Sequence, residues 1–256
     1  INGHMNLYIF NETRLGAIYG IGTYIRELTT ALKNSDIHVC VVHLASEIPQ
    51  IRTEETGGIK HWHFPLPVQW IRSDEEQWDL YHRNVVYLLR LHIRDERNLI
   101  FHLNYNQKSK LAGELKKTFD CRIVLTTHYF DWCFKLSGNL TRFRQLLETQ
   151  ETIQGDKDGE ELTEAIQKEK ETFKVVDHII CLSEKTRQLL QYDYKIKPKK
   201  ITVRYNGLTD NNSIIEKSTL RRKYHLPDTP ILLFAGRLDP IKGLPYALQA
   251  FKIVLN

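Results

Sequence analysis

Short apolar runs rich in β-branched residues recur along this chain, at Leu7–Phe10, His38–Leu44, Lys60–Phe64, Leu99–Leu103, Arg122–Thr126, His178–Leu182 and Ile201–Tyr205. Segments of helical period separate them: Ile21–Lys33, Glu75–Arg94 and Lys108–Phe119 each repeat apolar residues at three- and four-residue spacing. Strands with no polar alternation are buried on both faces, and parallel strands need crossovers long enough to hold a helix. The pattern therefore predicts an α/β fold with a parallel sheet covered by helices on both sides.

The more polar stretch 140–176 reads as two helices parted by a turn at Gly155-Asp-Lys-Asp-Gly159, which lacks the ligand spacing of a calcium loop. Ser183 is placed to cap a helix running through Gln191. After Asn206-Gly207 the chain turns polar, and a second αβ pattern follows, with a helix at Ser218–Tyr224, a strand at Pro230–Ala235 and a helix at Lys242–Leu255. A boundary near residue 210 divides a first domain, 5–210, from the beginning of a second, 211–256. The single methionine, Met5, follows Ile-Asn-Gly-His, so residues 1–4 read as an expression-tag scar. The last helix ends without a capping residue, as in a chain cut within a domain.

Charge and cysteine usage narrow the functional classes. Lys and Arg number 36 against 31 Asp and Glu, a formal charge of +5. This mild excess suits small anions, allows peripheral contact with an anionic membrane surface, and is too scattered for nucleic acid. No apolar run approaches the roughly 20 residues that span a bilayer. Cys40, Cys121, Cys133 and Cys181 show no C-x-x-C spacing and read as buried or free thiols in a reducing cytoplasm. No histidine pair shares a face with a carboxylate at metal-ligand spacing, so no metal is expected.

Open α/β sheets bind ligands beyond the carboxyl ends of their strands, and the candidate site residues lie there. The first run leads through a loop to Gly20-Ile-Gly22, where glycines let backbone approach a ligand and a helix N-terminus offers free N–H groups to an anion. Gly20 and Gly22 lack the third glycine and the distal acid of a dinucleotide fingerprint, which argues against an NAD-dependent oxidoreductase. His128, followed by Asp131, ends a central run; His102, with no other site residue pointing to it, reads as a structural histidine. In Phe234-Ala-Gly-Arg237-Leu-Asp-Pro-Ile-Lys242-Gly243, two cations five residues apart flank a turn and suit a diphosphate.

Together these segments resemble the retaining GT-B glycosyltransferases of family four, also called group 1. Val203-Arg-Tyr-Asn206-Gly207 is similar to the family's V-x-x-N-G strand, and 234–243 to its F-x-G-R-L-x-x-x-K-G turn. Gly20–Leu28, His128 and Ile179–Ser183 match further motifs in order. The resemblance implies two Rossmann-like domains, the first complete here and the second represented by its opening αβ unit. It implies sugar transfer with retention from a nucleotide-diphosphate sugar to a glycan, lipid-linked or peptide acceptor, without a cofactor. Gly20, Gly22, Arg237 and Lys242 would then bind the donor, His128 would position its sugar, and Asp131 is the candidate base. The family's E-x7-E pair lies beyond Asn256, so the chain alone is expected to transfer no sugar and to expose apolar surface at 230–233 and 251–255. A non-catalytic sugar- or nucleotide-binding module is the alternative; a GT-B epimerase would need paired acids that are not found.

Overall fold

The computed structural model describes residues 5–12, 20–67, 75–94, 98–149, 157–209, 215–236, 238–239 and 242–255. Its centre is an eight-stranded sheet. The strands are β1 (Met5–Glu12), β2 (Ile37–Ser46), β3 (Arg52–Thr56), β4 (Ile59–Pro65), β5 (Leu99–Leu103), β6 (Cys121–Thr127), β7 (His178–Cys181) and β8 (Ile201–Val203). Their order is β3-β4-β2-β1-β5-β6-β7-β8, with every neighbouring pair parallel except β3 and β4. All seven expected runs form strands.

The unexpected strand is β3. Its sequence, Arg-Thr-Glu-Glu-Thr, carries no apolar alternation because it lies at the sheet edge. Gly57 and Gly58, at φ +61° and +81°, make the tight turn into β4. Two successive residues at positive φ are the hallmark of a hairpin, so this glycine pair was the available signal.

The helices are α1 (Gly20–Leu32), α2 (Glu75–His92), α3 (Ser109–Thr118), α4 (Asp131–Lys135), α5 (Leu140–Thr149), α6 (Lys157–Val175), α7 (Glu184–Gln188), α8 (Lys217–Lys223) and α9 (Leu244–Leu255). Ser183 caps α7, accepting from the Thr186 N–H at 3.1 Å. A π-helical turn, Leu189–Asp193, then prolongs α7 past the expected end. Gly159 lies inside α6 rather than in a turn, while 150–156 fall outside the described residues.

Pleat alternation divides the core. Ile9, Val39 and Val41 meet Ile21 and Ile25 of α1 on one face. Tyr8, Phe10, Cys40, Val42 and Phe101 meet α2, α3 and α6 on the other, in a much larger cluster. Fully burying such side chains contributes about 1.5–3 kcal/mol each.

Residues 230–235 form no strand, contrary to expectation. A strand exists through its ladder partner, and none pairs with this segment among the described residues. Leu232 and Leu233 are accordingly 73% and 82% exposed, and α9 has no buried residue. The four cysteines are free, Cys40 and Cys181 being buried.

Candidate functional site

Strand order reverses at β1, flanked by β2 on one side and β5 on the other, which makes the carboxyl ends of β1 and β5 the switch point of the sheet. Polar residues crowd there although the surroundings are buried. Asn104 donates from Nδ2 to the Phe10 carbonyl at 3.0 Å, tying β5 to β1 beyond their ladder. The Tyr105 hydroxyl accepts from the Glu12 N–H at 3.3 Å and donates to the Glu12 carbonyl at 3.1 Å.

His128 leaves the end of β6 and stands 3.0 Å from Asn104 Oδ1 through Nε2. Tyr24 of α1 packs edge-on against it, ring centroids 4.8 Å apart. The Tyr24 hydroxyl lies 3.2 Å from Thr126 Oγ1, which also meets His102 Nε2 at 2.7 Å. Burial holds both imidazoles neutral, lowering His128 to about 4 and His102 to about 3. His102 thus serves as the expected structural histidine, and Tyr24 docks the start of α1 beside His128.

Asp131 opens α4. Its carboxylate accepts from Gln107 Nε2, and its N–H donates to Glu169 Oε1 at 3.2 Å. Glu169, fully buried on α6, also receives the Tyr194 hydroxyl delivered by the π-helical turn. Desolvation pushes the Glu169 carboxyl up to about 7. Sequence reading missed Glu169, yet it sits in register with Leu162, Ala165, Ile166, Thr172 and Phe173 on the apolar stripe of α6. An acid on such a stripe was the signal.

A cavity of about 910 Å³ at these strand ends brings Gly20, His128, Asp131 and Lys242 together, with Gln107 and Asn206 in its wall. Open space surrounds the position a Gly20 side chain would take. Gly22 lines a different cavity, with His43, His61 and His63. Two residues turn a helix by about 200°, so Gly20 and Gly22 face opposite ways. Arg237 lies outside the described residues. Among the described residues no group of three or more His, Cys, Asp or Glu is placed to hold a metal ion, and no helix is long and apolar enough to cross a membrane.

Solved structures share this architecture. Sucrose-phosphate synthase from Thermosynechococcus elongatus superposes with a TM-score of 0.66 at 17% identity, covering 96% of this chain and 59% of that one. A glycosyltransferase from Rickettsia africae ESF-5 gives 0.55 at 12% identity, covering 92% and 54%. The catalytic domain of starch synthase IV from Arabidopsis thaliana, bound to ADP and acarbose, gives 0.51 at 15%, covering 81% and 52%. The chain thus spans under two thirds of each, and at these identities the likeness is one of fold, the Rossmann-like fold of GT-B enzymes. No curated protein sequence matches. The sequence pattern described as Glycosyltransferase Family 4 matches residues 18–211, most of the chain, and the chain therefore belongs to that family.

Proposed function

We propose that the protein transfers a sugar, with retention at the anomeric carbon, from a nucleotide-diphosphate sugar to a glycan or lipid-linked acceptor. The observation that supports this most is the single cavity shared by Gly20, His128, Asp131 and Lys242. The free N–H groups at the start of α1 and the Lys242 ammonium put positive potential on its wall, suited to a diphosphate. Arg237 joins Lys242 in neutralising it, and the reading calls for no metal ion. The bound ADP of the Arabidopsis structure is consistent with a nucleoside diphosphate partner.

In the transfer, the bond from the anomeric carbon to the phosphate oxygen breaks as the acceptor oxygen bonds to the same face. The acceptor proton passes to the departing phosphate, which makes a separate base unnecessary. Neutral His128 hydrogen-bonds a donor-sugar hydroxyl and fixes its orientation. Asp131 borders the same space and orients the acceptor hydroxyl. Stabilising the charge that builds on the leaving group is the largest service asked of the site. The free thiols fit a reducing cytoplasm.

The test uses the full-length protein with uridine, guanosine and adenosine diphosphate sugars. Release of nucleoside diphosphate, loss of that release in Lys242→Ala, and proton NMR showing the donor's anomeric configuration in the product are expected. An inverted product would overturn retention. Release unaffected by Lys242→Ala would remove the assigned donor site, and donor left unconsumed would favour a binding module.

A further inference from the structure

A second cavity, of about 980 Å³, adjoins the first, and Gln107, Tyr129, Asp131, Glu164 and Lys168 line both. Its floor is the switch point itself, Glu12 and Tyr105, and its far wall is α2, with Trp78 and His82. His82 is 6% exposed, and neither ring nitrogen has a hydrogen-bond partner among the described residues. Asn106 spends Nδ2 on the Tyr129 carbonyl while its buried Oδ1 is unpartnered among the described residues. Native cores leave few buried polar atoms unpaired, because each costs about 1–3 kcal/mol. Three such atoms belong to two residues that line this one cavity.

Charge selects the ligand. Seven carboxylates and three lysines line the cavity. Every one of those lysines is already held by a carboxylate of the same wall: Lys108 by Glu12 at 2.5 Å, Lys110 by Asp79 at 3.4 Å, and Lys168 by Glu164 at 2.6 Å. Among the described lining residues no cation is left for a phosphate or carboxylate, and their surplus of negative charge repels both. His82 next to Lys108 is kept uncharged by burial, so its ring offers one donor and one acceptor, the pair that a hydroxyl group both supplies and needs.

We propose that this second cavity holds an uncharged, hydroxyl-rich saccharide as acceptor, with His82 and Asn106 hydrogen-bonding its hydroxyls and Trp78 forming an aromatic wall. The inference rests on the sugar-transfer reading and goes beyond it by excluding phosphorylated acceptors and the phosphate of a lipid carrier from this subsite. The shared lining residues set the saccharide beside the anomeric carbon of a donor bound near Lys242. His82 is a specificity-determining residue here, and its signal was legible, since it lies on the stripe of α2 with Val85, Val86 and Leu89.

The experiment is binding of the full-length protein to an array of neutral, phosphorylated and amine-bearing saccharides, compared with His82→Phe and His82→Gln. Neutral saccharides are expected to bind best, tenfold or more weakly in His82→Phe, with partial recovery in His82→Gln. Phe fills the volume without polar atoms, so its melting temperature should equal or exceed that of the parent, and weaker saccharide binding in it is then read on a folded protein. Preference for phosphorylated or amine-bearing sugars, absence of saccharide binding, or unchanged binding in His82→Phe would overturn the proposal. Nucleoside diphosphate release on the same preparations judges the sugar-transfer reading separately, because His82 does not line the donor cavity.

Discussion

His128 Nε2 lies 3.0 Å from Asn104 Oδ1, and the amide nitrogen of Asn104 is spent on the Phe10 carbonyl. With Oδ1 fixed as the acceptor, Nε2 must carry the proton, and Nδ1 is left as a lone-pair acceptor for a sugar hydroxyl. Nitrogen-15 NMR of labelled histidine should show the Nε2–H tautomer at neutral pH; an Nδ1–H signal would refute this assignment. His128→Ala should lower kcat/KM by about 10²-fold through lost positioning. Asn104→Asp should act in the same direction, because a carboxylate there favours the imidazolium and removes the free lone pair.

Acid should unfold this protein over a defined window. His43, His102 and His128 are lowered by burial to about 4, 3 and 4 from an ordinary 6.5. Their stabilisation is complete above pH 6.5 and is lost as the unfolded chain takes up protons that the folded one refuses. Glu169 opposes them, being raised to about 7 and so binding its proton first in the folded state. Across these four groups the unfolded state holds about two more protons near pH 5, and His82 and His61, also lowered by burial, add to the difference, so unfolding free energy should fall by at least about 3 kcal/mol per pH unit. Urea unfolding at pH 7, 6 and 5 measures the slope, and a midpoint constant from pH 6.5 to 5 would disprove it.

Most of the sheet was legible in the sequence because buried parallel strands are unbroken apolar runs, and Leu99–Leu103 was placed to the residue. The edge strand β3 was not, since an edge strand has no core face to pattern. Of the candidate site residues, Gly20, His128 and Lys242 stand in motifs and Asp131 only follows His128 past the β6 run; their meeting in one cavity is a product of the fold. Asn104 was not legible, because it takes its meaning from residues 24 and 94 positions away, whereas His82 and Glu169 showed only as polar residues on apolar helix stripes, with partners or a cavity that form on folding. The separation of Gly20 from Gly22 needed the helix to begin at Gly20, a boundary that pattern alone leaves open by a turn.

The ion pair between Lys108 and Glu12 is 2.5 Å long, with side chains 10% and 4% exposed. Lys108 also lies over the Trp78 ring, 5.3 Å from its centroid. Removing one partner strands the other charge in the switch-point crevice, so Lys108→Met should cost about 3–5 kcal/mol. Glu12→Gln combined with Lys108→Met removes both charges and should recover most of that loss. Denaturant unfolding of the two variants makes the comparison; equal losses would show that the pair contributes through packing rather than charge.

Glu169 joins the site to the core behind it, accepting from the Asp131 N–H, from Asn106 Nδ2 at 3.5 Å and from the Tyr194 hydroxyl. Glu169→Gln keeps an acceptor for the Asp131 N–H and turns the other end into a donor, which the Tyr194 hydroxyl can accept. Such a variant should retain the fold and lose the titration near pH 7. The wild-type carboxyl, raised from 4.5 to about 7, destabilises the folded state increasingly as pH rises from 4.5 to 7 and fully above it. The glutamine variant should therefore match the wild type near pH 5 and exceed it at pH 8 by as much as about 3 kcal/mol. Glu169→Leu behaves oppositely, because three donors lose their acceptor at once and each buried orphan costs about 1–3 kcal/mol. Since one of those donors is the Asp131 N–H at the start of α4, this variant should also displace Asp131 and reduce transfer. Unfolding of both variants at pH 5 and pH 8 decides the matter: a pH-independent difference between Glu169→Gln and the wild type would mean that Glu169 is charged throughout and that its burial is compensated by partners other than these three.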